Sequence, residues 1–502
     1  MSLSAPAAKP FPLRPHPHLY EINTWPWLEQ LSAQLGRLVK LGDVPDAEWD
    51  SLAQMGFDIV WLMGVWKRSD KSREIALTDP ASRQLYDRML PGWKPTHVVG
   101  SPYSVAEYTT DPRIGTWDDL DRAREKLHAR GIALFLDFVG NHTALDHPWT
   151  REHPEFYVQG TEKDFANEMG SFHAVQAEKG TVFLALGRDP YFPPWIDAAQ
   201  LNHFQPEMRT AQLADLRTIA AHCDGVRCDM AMLHLQDIFA RIWGRFLDGV
   251  TPPETEFWTD TRAAVPSLIL LAEAYWGTEP RLLELGFSFV YDKELYDAIR
   301  DIRVEEVHTL LAADISTVSR YAKFLENHDE APCLDVFGER RLASVATLMG
   351  TLPGLRFYYQ AEVQGCEPHL PITLGVPGDS TPVPMCLDFF RKILKITKDD
   401  VFHQSHWKIL AARAEKDNSS VNLVIYEWRL EKAWKIIVVN LADTPSQAYV
   451  QFEESALSDQ GYIFYDELHD VRYSRTSDEL KKLGLFVRLD AFQAHLFDVT
   501  SS

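Results

Sequence analysis

Eight apolar runs of strand length recur between residues 19 and 361, most of them followed by an amphipathic stretch, and this rhythm constrains the fold more than anything else in the chain. The runs are Leu19 to Trp25, Ile59 to Trp66, Ile132 to Val139, Gly225 to Ala231, Leu268 to Trp276, Phe287 to Lys293, Ala322 to Asn327 and Leu355 to Ala361. Near-continuous apolar character marks strands covered on both faces, as in a parallel sheet. Eight strand–helix units in succession predict an α/β fold of the (β/α)8 barrel type. Some of the helices are legible. Thr116-Trp-Asp-Asp119 reads as a capping box, Leu120, Ala123 and Leu127 as the apolar stripe behind it, and Gly131 as its end. Met208, Leu213, Leu216 and Ile219 give the apolar side of the helix that leads into the fourth run.

Two departures from the rhythm define further domains. The excursion from His142 to Gln205 is too long for a structureless loop in a compact domain, so an inserted domain is expected there, at the end of a strand that in barrels faces the active site. After about residue 400 the pattern changes to short alternating strands, Ser420 to Trp428, Trp434 to Asn440, Gln447 to Phe452, Leu485 to Leu489 and Ala494 to Val499, the signature of an antiparallel β-sandwich. The expected organisation is an N-terminal extension over 1–18, a barrel over 19–142 and 206–398, an inserted domain over 143–205 and a C-terminal β-sandwich over 399–502. His16 and His18 fall in the Pro-rich start, which reads as a flexible tail.

Composition narrows the partners. A formal net charge of −22 argues against nucleic acid and acidic membrane surfaces, which attract Lys/Arg-rich faces, and favours a neutral ligand. The 15 Trp, 17 Tyr and 26 Phe suit a sugar-binding cleft as well as a large core. Five scattered cysteines without a CxxC pair suit free thiols in a reducing compartment, and neither a secretory h-region nor a membrane-length run is present. A cytoplasmic location is the resulting expectation; the oligomeric state is not legible.

The chemistry sits in polar residues that end the apolar runs. Arg227 and Asp229 alternate with Val226 and Cys228, so on a strand they share a face. A buried arginine beside a carboxylate implies either a polar cavity or a structural ion pair. Other run ends favour the cavity: Asp137, Asn141 and His142 at or after the third, Glu273 at the fifth, and Asn327, His328 and Asp329 at the seventh. Four carboxylates, two histidines and an arginine at one barrel mouth supply what glycoside hydrolysis needs, namely a nucleophile, an acid/base and groups that hold the sugar. Cys228 faces the other side of its strand as a buried thiol, and Glu330 points away.

The segments Asp137-Phe-Val-Gly-Asn141-His142, Gly225-Val-Arg227-Cys-Asp229, Leu-Leu-Ala-Glu273-Ala and Phe324-Leu-Glu-Asn327-His328-Asp329 resemble the α-amylase family, glycoside hydrolase family 13, and the resemblance runs over roughly residues 19 to 500. It implies a retaining mechanism on α-glucosidic bonds, with Asp229 as nucleophile, Glu273 as acid/base and Asp329 binding the sugar and stabilising the transition state. Arg227 would keep Asp229 ionised, while His142 and His328 would bind sugar hydroxyls. Tyr103, in Ser101-Pro-Tyr103-Ser, would offer an aromatic platform, and Asp137, Asn141 and Asn327 would support the site. Asp197-Ala-Ala-Gln200-Leu201-Asn202 is similar to the family's signature at the end of the inserted domain.

This chain also departs from the family pattern. Met232 and Leu233 stand where many members carry Lys-His, with His234 one place off, and Gly100 stands where many exo-acting glucosidases carry an Asp. Gln200 replaces an Asp ligand of the calcium-binding members, so neither calcium nor another cofactor is expected. Three readings follow: a hydrolase of α-glucosidic bonds in oligosaccharides or α-glucans, a transferase or isomerase using the same covalent intermediate, and a non-catalytic scaffold.

Overall fold

The computed structural model describes residues 9–501, apart from 169, 248, 367–369, 379, 380, 405, 454–456 and 459. Each of the eight runs contains a strand: β1 (His18–Asn23), β2 (Ile59–Met63), β3 (Ala133–Phe138), β4 (Gly225–Cys228), β5 (Ile269–Ala272), β6 (Phe289–Tyr291), β7 (Tyr321–Lys323) and β8 (Leu355–Tyr359). Each pairs in parallel with its sequence neighbours, and β8 pairs with β1, so the sheet closes. Closure removes every edge and requires side chains to fill the interior, which is why the strands are apolar on both faces. All residues of β1 to β5 and of β8 are buried, including the polar Glu21, Asp137 and Arg227.

The loops beyond the strand ends build the surroundings of the mouth. Trp66 lies outside β2, because Gly64 turns the chain at φ 79° and a side chain there would meet Arg68 and Pro102 within 2.9 Å. Trp66–Arg68 pairs instead with Val105–Thr110, and the helices Asp70–Thr78 and Pro80–Met89 lie between. The sequence reading did not separate this excursion, since those helices bury only Ser72, Ala76 and Tyr86 and show no apolar stripe. The excursion after β3 holds a three-stranded antiparallel sheet (Gln159–Gly160, Phe172–Ala177, Gly180–Ala185) and a ribbon pairing His142–Ala144 with Ala198–Gln200.

After helix Pro384–Thr397 come two antiparallel sheets of six and three strands around their own core, the C-terminal sandwich. Strands His406–Ile409, Ala412–Arg413, Tyr462–Asp466 and Val471–Arg475 join the five expected ones. Val471–Arg475 buries no residue, so no alternation marks it in the sequence.

His16 and His18 are not in a flexible tail. His18 is the first residue of β1 and fully buried, His16 accepts a hydrogen bond from the Gly354 amide at 2.9 Å, and Arg14 pairs with Asp58 at 2.6 Å. The barrel floor needs a cover, and these residues supply it together with the C-terminal domain. Arg356 of β8 is buried there without a carboxylate partner among the described residues; it donates to the carbonyls of Leu352 and Phe402 and lies 5.7 Å from the Trp428 ring. Trp428, fully buried, donates its indole N–H to the Thr351 carbonyl at 2.8 Å. Trp428→Ala should therefore destabilise the protein by about 3–5 kcal/mol, read as a lower urea midpoint. An unshifted midpoint would mean that this join carries little of the stability.

Candidate active site

Arg227 is the hub of the mouth. Its side chain is fully buried, with Nη1 2.6 Å from Asp229 Oδ1, and Nη2 2.9 Å from Glu273 Oε2 and 3.9 Å from Asp329 Oδ2. The rings of Trp61, Tyr103 and Tyr291 surround its guanidinium at 5.4, 5.2 and 5.7 Å, a geometry that attracts a cation to the ring faces. Alternation along the strand puts Arg227 and Asp229 together. The next residue, Met230, turns the chain at φ 42° and aims its amide at Glu273 Oε2, 2.6 Å away. Tyr275, two residues beyond Glu273 and so on the same face, donates its hydroxyl to Oε1 at 2.8 Å.

The other expected residues fall into two rows. Tyr103, His142, Asp229, Glu273 and Asp329 line a cavity of about 840 Å³ at the mouth. Arg227 and His328 do not line it, because their polar atoms are taken up behind the wall. His328 Nδ1 meets Glu21 Oε1 at 2.5 Å, and its Nε2 lies 2.7 Å from the Tyr103 hydroxyl and 3.0 Å from Asp329 Oδ2. Arg227 and His328 thus hold the carboxylates and the Tyr103 hydroxyl in place from behind the wall. Asp137 accepts from the Gly64 amide at 2.7 Å and from the Trp61 indole at 3.1 Å, tying β3 to the end of β2. Asn327 accepts from the amides of Asp329 and Glu330, both at 2.9 Å, and so shapes the turn that presents Asp329. Glu21, Tyr275, Tyr291 and Glu279 were missed. The only signal for Glu21 was a charge inside an apolar run, and for Tyr275 the two-residue spacing from Glu273.

His234 lies in the turn after Met230, buried beside His203 with ring centroids 4.3 Å apart, and does not line the cavity. Gly100 adopts φ 90°, and a Cβ there would lie 3.1 Å from the Ser69 carbonyl oxygen, so a side chain at that position would be strained and crowded. The residues where calcium-binding relatives hold the ion do not suit a cation. The Gln200 side-chain amide donates to the Asn141 carbonyl (2.9 Å), Asn141 Oδ1 (3.0 Å) and the Leu201 carbonyl (3.1 Å), so the nitrogen occupies the centre of an oxygen cluster. Gln200 is fully buried and Asn141 nearly so, and those oxygens already accept from the amide where a cation would need them.

A closed parallel barrel with carboxylates at the C-terminal ends of its strands is the architecture of a large class of enzymes, many of which act on sugars. Residues 47–231 match the family model for the α-amylase catalytic domain. α-Amylase 3 of Dictyoglomus thermophilum is 25% identical over 294 residues, 53% of this chain and 54% of that protein. Trehalose-6-phosphate hydrolase of Escherichia coli is 31% identical over 182 residues, 32% of this chain and 30% of that protein. The chain thus spans about half the length, or less, of these curated relatives. A maltogenic α-amylase, AmyB of Thermotoga neapolitana, superimposes with a TM-score of 0.65 over 97% of this chain and 99% of that one, at 17% identity, a likeness of fold. These matches support the α-amylase family, with residues 47–231 carrying the match to its catalytic-domain model.

Burial pushes the Glu273 carboxyl up to about 7, against the pull of Arg227. It also raises Asp229: the lowering expected from Arg227 is outweighed by the loss of water, because one guanidinium serves both carboxyls. Burial would lower His328, but the carboxylates of Asp329 and Glu21 hold it well above the usual imidazole range. An acid whose pKa is raised by folding binds more protons folded than unfolded between the two values. For Glu273 stability therefore falls as pH rises from about 4.5 to about 7. Glu273→Gln removes that penalty and should stabilise the protein by about 1–3 kcal/mol more at pH 8 than at pH 4.5 in urea titrations. An equal effect at both pH values would rule out the buried charge as the cause.

Proposed function

We propose that the chain is a retaining glycoside hydrolase of α-glucosidic bonds in oligosaccharides or α-glucans. The observation that carries this reading is that Asp229 and Glu273 are held on the two terminal nitrogens of one buried guanidinium while both line the same cavity. Neighbouring carboxyls suit retention, which needs roughly 5 Å between them, whereas inversion leaves room for a water at roughly 6.5–9.5 Å. Glu273, raised to about 7, keeps its proton near neutrality and is the acid. Asp229, with Arg227 beside it, is the nucleophile.

In the first step an Asp229 oxygen attacks the anomeric carbon as the bond to the leaving oxygen breaks and Glu273 gives that oxygen its proton. In the second, Glu273 takes a proton from water, the water oxygen attacks the anomeric carbon, and Asp229 leaves as a carboxylate. Asp329, whose side chain is half exposed, accepts hydrogen bonds from sugar hydroxyls, and its negative charge supports the oxocarbenium-like transition state. The names of the relatives, an α-amylase and a trehalose-6-phosphate hydrolase, support an α-glucoside substrate. Transfer to a sugar is the second reading, favoured by the exposed rings of Phe192 and Trp276 at the cavity mouth, which offer an acceptor a surface. A scaffold has no physical need for three carboxylates around one arginine. Because the Gln200 amide fills the oxygen cluster, the enzyme works without calcium.

Proton NMR of anomeric signals, with maltooligosaccharides, isomaltose, trehalose and sucrose as substrates, tests the reading. The α-anomer should appear first, and Asp229→Asn should lower turnover by roughly 10³-fold or more. First release of the β-anomer, or unchanged turnover by the variant, would exclude the mechanism. Chelation with EDTA should leave both the rate and the melting temperature unchanged. A fall that added calcium restores would show that Gln200 does not replace the ion.

A further inference from the structure

Beyond the reacting carboxyls, one acidic side chain in the cavity wall is both buried and left with an unpaired oxygen. Glu279, at the start of helix Glu279–Glu284 and six residues past Glu273, lines the cavity and is 3% exposed. Its Oε1 has no hydrogen-bond partner among the described residues. A buried polar atom left unpaired costs roughly 1–3 kcal/mol, so its place in a cavity wall points to a partner that arrives with a ligand. Burial raises the carboxyl to about 7, so near neutrality it can donate as well as accept.

Trp276, on the same loop, supplies a second observation. It adopts φ 65°, a left-handed conformation that is strained for a bulky residue, and is followed by Gly277 at φ 70°. The backbone thereby holds the indole at the cavity mouth, 38% exposed and edge-on to Tyr191 of the inserted domain at 5.1 Å. Glu273 protonates the leaving oxygen, so its own loop, which carries Trp276 and Glu279, adjoins the leaving-group side.

Charge selects the ligand. Asp189, Asp197, Glu294 and Asp297 join the three reacting carboxyls in the lining. Among the described residues the only Lys or Arg there is Lys293, already 2.6 Å from Asp297 and 3.4 Å from Glu330. The segment 360–383, which adds Ile372 to the wall, contains no Lys or Arg. A phosphate group would find no free cation there and would meet several carboxylates.

We propose that Glu279 and Trp276 form the binding site for the leaving-group or acceptor sugar, and that this site takes an uncharged polyhydroxylated ring and excludes a phosphorylated one. The assignment rests on the glycosidase reading above. The test compares kcat/KM for the best neutral disaccharide with that for p-nitrophenyl α-glucoside, whose leaving group has no hydroxyls, in the unmutated protein, Glu279→Gln and Glu279→Ala. Glu279→Ala should lose at least tenfold more on the disaccharide than on the aryl glucoside, with Glu279→Gln intermediate and melting temperatures unchanged. The same disaccharide phosphorylated on its leaving-group sugar should react at least 100-fold more slowly. Equal losses on the two substrates, or comparable turnover of the phosphorylated one, would overturn the assignment and leave the glycosidase reading standing. Calorimetric titration of the disaccharide into the Asp229→Asn variant gives a readout that needs no turnover. Tenfold weaker binding on adding Glu279→Ala, with no turnover by any variant, would keep the site and sink the glycosidase reading.

Discussion

Everything at the mouth of this barrel depends on burying one arginine. A guanidinium withdrawn from water needs charged partners and polarisable surroundings, and Arg227 has both: carboxylates of Asp229 and Glu273 on its terminal nitrogens and three aromatic rings around its plane. Those partners come from the ends of β4 and β5, from β2 and β6, and from the loop that carries Tyr103, so the ion pair is also a ruler for the barrel's upper rim. The arrangement has an asymmetric outcome. Two buried carboxyls on one cation cannot both be fully compensated, and one of them keeps a proton up to about pH 7. The same burial that threatens stability thus leaves a protonated carboxyl beside a second one, the pairing that the proposed mechanism uses.

Around that centre the barrel divides its labour between its two ends, as the fold generally does. The floor is closed by N-terminal residues, Arg356 and the C-terminal domain through Trp428, all packed for stability. The mouth is furnished by two excursions. The one after β2 brings Tyr103, and the one after β3 brings His142, held in register against Gln200. There the Gln200 amide does with two N–H groups what a cation does with charge: it gathers three buried oxygens and fixes the loop.

Several features of the site were readable because they are local. Alternation places Arg227 and Asp229 on one face, and polar residues ending apolar runs mark Asp137, Glu273 and Asp329. Others depend on contacts between distant segments. Glu21 joins the site through His328, 307 residues away, and Tyr291 through Arg227, 64 residues away. The turns at Met230 and Trp276 use positive φ in residues that rarely adopt it, so no glycine flagged them. Val471–Arg475 escaped for another reason: an exposed edge strand has no buried face to impose a period.

By itself the sequence determined the strand–helix rhythm, the closed parallel barrel, the C-terminal sandwich and the residues that end the strands. These follow from burial period and side-chain alternation, which act over a few residues at a time. Only the tertiary structure decided which of those residues face the cavity and which stand behind it, as Arg227 and His328 do. It decided the protonation balance as well, because the effect of Arg227 on Asp229 depends on how completely water is excluded and on Glu273 sharing the same guanidinium. Desolvation and shared charge are properties of the assembled mouth, and no local pattern of residues encodes them.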